Sequence, residues 1–322
     1  MHNLEHNPME ISNYDEENYD YREYWNGRQY EDKAEKIALK KLLKGTSGKR
    51  YIDIGGSFGR NAELVADTFK EVVILDYSLN TLLKYEKEIL EKYPNVKLIA
   101  ANAYKLPFVK NSFDGGMSIR VLHHLNTPEL YFTQLGRIFA SGAHYIQEVA
   151  NKVHLKASLK WILSGRAEML DESPYQQPTR KSKEKEGSTT EGVFMNFHPT
   201  HIKKEMHKNG FMRLKTRSCS FLRIPSLKRI LPISALLFFE RVAQFLLGGT
   251  YIAPSILLRG IMIKSPLTLK NQSAEKNLDK SFVEILRCPE CLGKLEINGD
   301  TATCTKCSKQ YTKHSTVWDL RA

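Results

Sequence analysis

Tyr51-Ile-Asp-Ile-Gly-Gly-Ser-Phe-Gly-Arg60 is the stretch that decides the fold of this 322-residue chain. Its apolar start predicts a short buried strand, and Gly55, Gly56 and Gly59 then predict a tight turn. Glycine lets the backbone adopt positive φ and lets a ligand approach the main chain closely. A helix is expected at 61–69, with unpaired N–H groups at its start. The stretch therefore predicts a nucleotide-type ligand site at the end of a strand.

Strands and helices alternate along most of the sequence that follows. This rhythm predicts an α/β fold, a Rossmann-like doubly wound sheet of seven mostly parallel strands with helices on both faces. A helical insertion is expected between the last two strands. The expected strands are 50–54, 71–75, 96–100, 113–119, 144–149, 211–216 and 255–263, and the expected helices are 23–43, 61–69, 79–92, 128–139 and 199–208.

Composition suggests how the chain divides into parts. Hydrophobic residues make up 41% of it, enough for a full-sized core. Polar and charged residues at 172–192 predict a mobile loop or lid. The expected parts are a disordered segment at 1–22, a main domain at 23–264 with an insertion at 221–254, a polar linker at 265–281 and a small domain at 282–322.

The net charge of +12 is concentrated in one region. Residues 152–264 carry +12, whereas 1–151 carry −2 and 265–322 carry +2. An anionic partner is therefore expected, and nucleic acid, a phospholipid surface, an acidic glycan or simple solubility all remain open. The start of the chain does not resemble a signal peptide, and no apolar run reaches about 18 residues, so the cytoplasm is the expected compartment.

A series of motifs narrows the ligand. Asp76 follows the glycines by about 20 residues and is placed to accept hydrogen bonds from ribose hydroxyls, which fits a dinucleotide and S-adenosylmethionine (SAM) equally well. The ordered series resembles the class I SAM-dependent methyltransferases of the type 11 branch, which act mostly on small molecules and lipids. The resemblance spans about 30–263 and is strongest up to Val149. The motifs are Asp53-x-Gly55-x-x-x-Gly59, Asp76, Asn102-Ala103, Leu106-Pro-Phe108, Phe113-Asp114 and Val121-Leu-His-His-Leu125.

The resemblance implies a role for each motif residue. Two positions depart from the family pattern, because Ser57 stands where a middle glycine is common and Asn102 where aspartate is common. An asparagine can still accept a hydrogen bond from the adenine amine. By resemblance, Asp53, Gly55, Gly56 and Gly59 would hold the methionyl part of SAM, Asp76 the ribose, Tyr77, Asn102 and Ala103 the adenine, and Arg120 would lie under the cofactor.

Candidates for a catalytic base are few. SAM carries an activated methyl group, so the protein must align the acceptor and, for some acceptors, remove a proton. His123 and His124 follow the fourth strand, Glu148 ends the fifth, and His198 lies in Asn-Phe-His-Pro. Packing is the alternative role for the first two, and a helix N-terminal turn is the alternative for His198. The Asn-Phe-His-Pro segment does not resemble the Asn-Pro-Pro-aromatic motif of base and amide methylases.

Four of the five cysteines form two pairs near the C-terminus. Cys288-Pro-Glu-Cys291 and Cys304-Thr-Lys-Cys307 predict a tetrahedral zinc site in a zinc ribbon, because so short a segment needs a metal to fold. Together with Tyr311 and Val317-Trp-Asp-Leu320, the segment resembles the small zinc-binding activators of tRNA and translation-factor methyltransferases. Support of the main domain and contact with a protein partner both remain open as its role.

The insertion is apolar and punctuated by basic residues. It predicts either a helical pair packed on the core or an amphipathic surface that meets lipid, with Leu236, Leu237 and Phe238 expected in the lipid contact. The sequence thus favours methyl transfer from SAM to a small-molecule or lipid-linked acceptor, with peripheral contact to an anionic membrane. An RNA methyltransferase is the second hypothesis, and a non-catalytic adaptor with a partner-binding ribbon is the third.

Overall fold

The computed structural model describes Asp15 and residues 20–176, 194–264 and 277–321. The helices are α1 (Gln29–Leu43), α2 (Leu79–Lys92), α3 (Pro128–Ile138), α4 (Leu155–Leu163), α5 (Pro199–Lys208), α6 (Pro225–Ile230), α7 (Ile233–Leu247) and α8 (Phe282–Ile285). The strands are β1 (Gly48–Ile54), β2 (Phe69–Asp76), β3 (Val96–Ala101), β4 (Phe113–Ser118), β5 (Phe139–Ala150), β6 (Tyr175–Gln176), β7 (Met195–Asn196), β8 (Phe211–Cys219), β9 (Ser255–Met262), β10 (Leu295–Asn298), β11 (Thr301–Cys304), β12 (Gln310–His314) and β13 (Val317–Leu320).

Seven strands form the predicted doubly wound sheet, in the order β3-β2-β1-β4-β5-β9-β8. The first five are parallel, and β9 and β8 add antiparallel pairs at one side. The last five residues of β1 are all buried, because elements cover both faces of a parallel sheet. The α/β fold class predicted from the sequence is confirmed.

The C-terminal segment extends this sheet instead of standing apart from it. Strands β10 to β13 form an antiparallel meander, and β13 pairs in parallel with β3, with Trp318 opposite Ile99. The pairing covers an edge strand that would otherwise expose free N–H and C=O groups. The result is one sheet of eleven strands.

Part of the expected linker is also packed. Asn277 is fully buried, and the carbonyl oxygen of Lys280 accepts a hydrogen bond of 2.6 Å from Arg50. The rest of the expected linker, 265–276, lies outside the described residues, as do 1–14 and 16–19 of the expected disordered segment and 177–192 of the expected loop. The proposed domain boundaries stay a prediction.

The helix predicted at 61–69 was wrong. The structure has a single 3-10 turn at Ala62–Leu64, and β2 already begins at Phe69. Val65 and Phe69 are both buried, so the chain turns inward to reach β2 and leaves too few residues for a helix. The glycine turn therefore does not lead into a helix N-terminus.

Helix α1 contributes a buried acidic residue, Glu35. The side chain of Glu35 is fully buried and forms ion pairs with Arg60 and with Nε of Arg120, the latter at 3.0 Å. Burial raises the pKa of Glu35, but the two guanidinium groups outweigh it and hold the pKa below its usual value. The carboxylate therefore stays ionised inside the protein.

The insertion packs on the same helix through polar side chains. Glu240 of α7 accepts hydrogen bonds from the hydroxyl of Tyr30 and from the backbone N–H of Ser220 at 2.8 Å. Gln244 donates to the carbonyl oxygen of Ala34 at 2.9 Å. Among the described helices, none is long and apolar enough to cross a membrane.

Replacing Glu35 with glutamine tests the buried charge. Glu35→Gln leaves Arg60 and Arg120 without their shared counter-ion, and we expect the free energy of unfolding to fall by about 3–5 kcal/mol. Glu91→Gln, in an exposed pair with Lys87 at 3.8 Å, is the matched control and is expected to change it by less than about 0.5 kcal/mol. Urea titration measures both. Equal effects would contradict a structural role for the buried pair.

Candidate functional site

A pocket of about 730 Å³, including its open mouth, lies at the carboxyl ends of β1 to β4. Ligands bind at this edge in open parallel sheets. Five of the nine residues predicted to bind the cofactor line it: Gly55, Asp76, Tyr77, Ala103 and Arg120. The other lining residues are Tyr21, Ile54, Ser57, Leu75, Ser78, Thr81, Ala101, Ile119, Val121, His124 and Leu125.

Asp76 is anchored at the end of β2. Its carboxylate accepts hydrogen bonds from the backbone N–H of Ser57 at 2.9 Å and of Ser78 at 3.0 Å. Burial raises the pKa of Asp76 to about 6, although these N–H groups oppose the rise. Ser57 has a φ of +47°, a conformation that glycine adopts more easily, which agrees with the middle glycine that the family resemblance implies at this position.

Asp53 lies beneath the same turn and is not among the residues that line the pocket. Its side chain is buried, and its Oδ2 has no hydrogen-bond partner in the described part of the chain. Burial raises the pKa of Asp53 to about 7; Arg60 opposes this, whereas Asp76 and Glu35 add to it. A buried carboxylate oxygen without a donor fits a ligand that brings one.

The glycines serve packing as well as the pocket. Gly55 has a φ of +75°, and a Cβ there would lie 2.0 Å from Cγ2 of Val121. A Cβ on Gly56 would lie 2.9 Å from Cγ2 of Ile74. Gly56 and Gly59 are not among the lining residues, so their first role is to let the turn fit against its neighbours.

Arg120 forms the floor of the pocket in a strained conformation. Its φ is +62°, which is rare for a bulky residue and costs energy. Its backbone N–H donates to Glu148 at 3.3 Å, and the other oxygen of Glu148 accepts from Ser255 at 2.7 Å. Burial raises the pKa of Glu148, and Arg120 opposes that rise. Glu148 thus holds Arg120 in place and does not itself line the pocket.

The four predicted catalytic candidates separate in space. Of these, His124 lines the pocket. His123 is packed between His124 and Phe194, with ring centroids 4.1 and 4.6 Å away, and burial lowers its pKa well below the usual value. His198 caps α5, where its Nδ1 accepts from the N–H of Thr200 at 3.1 Å.

The predicted adenine residues divide in the same way. Ala103 and Tyr77 line the pocket, and the guanidinium of Arg321 lies 5.8 Å from the centre of the Tyr77 ring. Asn102 does not line it, because its side-chain oxygen accepts a hydrogen bond of 2.8 Å from the N–H of Tyr104.

Sequence reasoning missed the aromatic residues before α1. Tyr21 lines the pocket and stacks on Tyr24, with ring centroids 5.4 Å apart. The guanidinium of Arg120 lies 4.9 Å from the ring of Trp25. Tyr21 had been placed in a disordered segment. The density of tyrosine and tryptophan at 19–25 was the available signal, since disordered segments contain few aromatic residues.

The four paired cysteines lie close together near β10 and β11, at one edge of the sheet. Their Sγ atoms lie within 4.8 Å of one another, with Cys288 3.6 Å from Cys307 and Cys291 3.4 Å from Cys304. These separations exclude disulfides, whose S–S length is about 2.05 Å. They are close to the roughly 3.8 Å between thiolates that a tetrahedron with Zn–S bonds of about 2.3 Å requires.

The two Cys-x-x-Cys loops have the same backbone geometry. The N–H of Leu292 donates to the carbonyl oxygen of Cys288 at 2.8 Å, and the N–H of Ser308 donates to that of Cys304 at 3.0 Å. Leu292 and Ser308, each following the second cysteine of its pair, have φ of +57° and +59°. The loops therefore present four sulfur atoms as a repeated structural unit.

Known proteins match the part of the sequence that contains most of the pocket residues. A family described as a methyltransferase domain matches residues 52–146. Demethylmenaquinone methyltransferase of Renibacterium salmoninarum is 32% identical over 99 residues, 31% of this chain and 40% of that protein. The O-methyltransferase rstn1 of Aspergillus nomiae is 29% identical over 131 residues, 37% of this chain and 57% of that protein. The chain thus spans about half the length of these curated relatives.

Solved structures share the fold. A SAM-dependent methyltransferase of Thermotoga maritima, described as a possible histamine N-methyltransferase, matches 77% of this chain and 97% of its own with a TM-score of 0.50 and 15% identity. A chain of the complex between the Haloferax volcanii Trm112 methyltransferase activator and the putative methyltransferase matches 76% of this chain and 99% of its own, with a TM-score of 0.50 and 14% identity. Residues 52–146 therefore match a methyltransferase domain, in a chain that shares the fold of the solved SAM-dependent methyltransferase.

Proposed function

We propose that the protein transfers a methyl group from SAM to a small-molecule or lipid-linked acceptor. The observation that carries the proposal is the pair of carboxylates, buried Asp53 and half-buried Asp76, beside a glycine turn that lacks a helix N-terminus. A helix N-terminus would favour a pyrophosphate. Two carboxylates favour a ligand with an ammonium group and a ribose and no phosphate, which is the chemistry of SAM.

Each residue has a role in this proposal. Asp76 accepts hydrogen bonds from the ribose hydroxyls, and the buried charge of Asp53, behind the lining of the pocket, favours a ligand with a positive ammonium group. Tyr77 and Ala103 flank the adenine, while Gly55 and Arg120 form the floor. Asn102, Gly56 and Glu148 do not line the pocket, and their role is to hold the lining residues in place. SAM supplies an activated methyl group, so the protein's task is to align the acceptor and exclude water.

Several residues that line the pocket are apolar, and one is a histidine. Ile119, Val121 and Leu125 line it together with His124, the candidate that is positioned to take a proton from an acceptor. By their names, one of the two curated relatives methylates demethylmenaquinone and the other is an O-methyltransferase. These observations favour a compact or lipid-linked acceptor over RNA, and the two carboxylates favour an enzyme over an adaptor.

We infer that the cysteine cluster binds one zinc ion. Cys288, Cys291, Cys304 and Cys307 supply four sulfur ligands at tetrahedral spacing. The hydroxyl of Tyr311 lies 3.2 Å from Sγ of Cys288, where it can donate to a thiolate. The metal would stabilise β10–β13 and, through β13, the edge of the main sheet at β3.

Calorimetry tests the cofactor. SAM and its demethylated product are expected to bind and NAD is not. Asp76→Asn removes a charged acceptor, and we expect it to weaken SAM binding about 10- to 100-fold. Asp67→Asn, at an exposed position away from the pocket, should leave the affinity unchanged. Tight NAD binding without SAM binding would overturn the proposal.

The pH dependence of SAM binding follows from the raised pKa values. In the free protein, Asp53 and Asp76 hold protons below about 7 and about 6. Binding to an ammonium group and to hydroxyl donors favours the ionised carboxylates, so binding releases protons in this range. We expect SAM affinity to fall as the pH drops through both values. Calorimetry in two buffers with different ionisation heats measures the release, and an affinity that does not vary with pH would contradict these roles.

Removal of one sulfur ligand tests the metal. One zinc ion per chain is expected to co-purify, and Cys304→Ser should release it, because structural zinc contributes about 10–16 kcal/mol in small finger peptides. Strands β10–β13 should then exchange their amide hydrogens rapidly, and the melting temperature should fall. Thr305→Ser, in the same loop, is the control that keeps the metal. Elemental analysis without zinc in protein purified free of chelators would refute the site.

A further inference from the structure

Helix α7 is oriented opposite to an ordinary surface helix. Leu236, Glu240 and Gln244, spaced four residues apart, form its buried face, and two of the three are polar. The other side exposes large apolar residues, with Phe245 80% and Leu246 69% exposed. A surface helix usually turns its apolar stripe toward the core. The exposed apolar side chains of α7 are Phe238, Phe239, Val242, Phe245, Leu246 and Leu247.

Buried hydrogen bonds fix this orientation. Glu240 accepts from the N–H of Ser220 at 2.8 Å and of Phe221 at 3.0 Å, and Gln244 bonds to both Glu240 and Ala34 at 2.9 Å. Rolling the helix to cover its phenylalanines would leave these polar groups buried without partners, which costs free energy for each. The apolar outer face is therefore built into the structure.

Helix α4 also exposes large apolar side chains, and its first residue contacts the chain that follows α7. The N–H of Leu155 donates to the carbonyl oxygen of Ile252 at 2.9 Å, shortly after α7 ends. Trp161 is buried, whereas Leu163 is 85% exposed. The exposed apolar side chains of α4 are Leu155, Leu159, Ile162 and Leu163. We call the exposed residues of α4 and α7 together the apolar face.

The charge around helix α7 is mainly positive, whereas Glu168 and Asp171 are exposed shortly after α4. Between 206 and 262 the sequence contains nine lysines and arginines and a single acidic residue, Glu240, which is buried. Arg229 of α6 and Arg241 of α7 are exposed, and Lys156 and Lys160 are exposed on α4. Long basic side chains next to large apolar ones are the composition of helices that lie in a membrane interface.

We propose that the apolar face docks the protein on an anionic lipid bilayer. Phe245 and Leu246 enter the boundary between headgroups and acyl chains, while Arg229, Arg241, Lys156 and Lys160 contact lipid phosphates. A second copy of the chain would bring like charges together, and RNA would leave the aliphatic side chains without a partner. Leu236, expected in the lipid contact from sequence, is 3% exposed and belongs to the core instead. The proposal does not depend on methyl transfer.

Vesicle co-sedimentation of the full chain tests the proposal. We expect binding to vesicles of phosphatidylcholine with phosphatidylglycerol, little binding to phosphatidylcholine alone, and weaker binding as salt screens the charges. Phe245→Gln/Leu246→Gln should lower the partition coefficient by about tenfold or more, because apolar burial is lost. Leu130→Gln/Val283→Gln, also at exposed apolar positions, is the matched control. Arg229→Gln/Arg241→Gln should reduce the salt-sensitive part of the binding and keep the apolar side chains.

Three results would overturn the proposal. The first is wild-type protein that stays in the supernatant with anionic vesicles at low salt. The second is a Phe245→Gln/Leu246→Gln variant that melts like the wild type and still binds like it. The third is wild-type protein that does not bind vesicles but forms a dimer in size-exclusion chromatography or retains RNA, where the Phe245→Gln/Leu246→Gln variant loses that dimer or RNA complex. SAM calorimetry on the same samples reports separately on the proposed activity.

Discussion

The carboxylate of Glu35 is the interaction on which the front of the molecule depends. It is fully buried and lies between two guanidinium groups, those of Arg60 after the glycine turn and Arg120 after β4. Each arginine also packs against Trp25, so the aromatic residues before α1 are held over the pocket by the same charge. A buried ion pair adds little net stability compared with apolar packing, but it allows one arrangement and penalises others. Here it aligns three separate segments around one pocket.

The C-terminal ribbon is joined to that pocket by a second set of charges. Arg321, directly after β13, donates to Asp15 at 2.8 Å, and Asp15 also accepts from the N–H of Leu79 at the start of α2. Asp76 and Tyr77 lie immediately before this helix start. Strand pairing of β13 with β3 brings Arg321 to this place. The position of the pocket wall is therefore coupled to the C-terminal segment, which contains the four clustered cysteines.

Sequence reasoning predicted the fold well where local pattern and burial agree. The helix at 79–92 and the seven strands of a mostly parallel sheet follow from apolar periodicity and from the alternation of strands with helices, which are local signals. It failed at 61–69, where the buried side chains of Val65 and Phe69 override helix propensity. The parallel pairing of β13 with β3 joins residues more than 200 positions apart and leaves no local signal. The polar inner face of α7 is of the same kind, because its partners come from α1.

The short turn after Gly59 bears most directly on the choice of ligand. A Rossmann dinucleotide site combines a glycine turn, a helix N-terminus for the pyrophosphate and a carboxylate for the ribose. This chain has the turn and the carboxylate but only three residues of 3-10 helix, and it adds Asp53, whose buried oxygen would repel a phosphate. Burial and the neighbouring carboxylates raise the pKa of Asp53 to about 7 although Arg60 opposes the rise, so the negative charge of Asp53 is unfavourable in the free protein. An ammonium group on a ligand would relieve that cost, and in the proposed function part of the free energy of binding comes from this carboxylate.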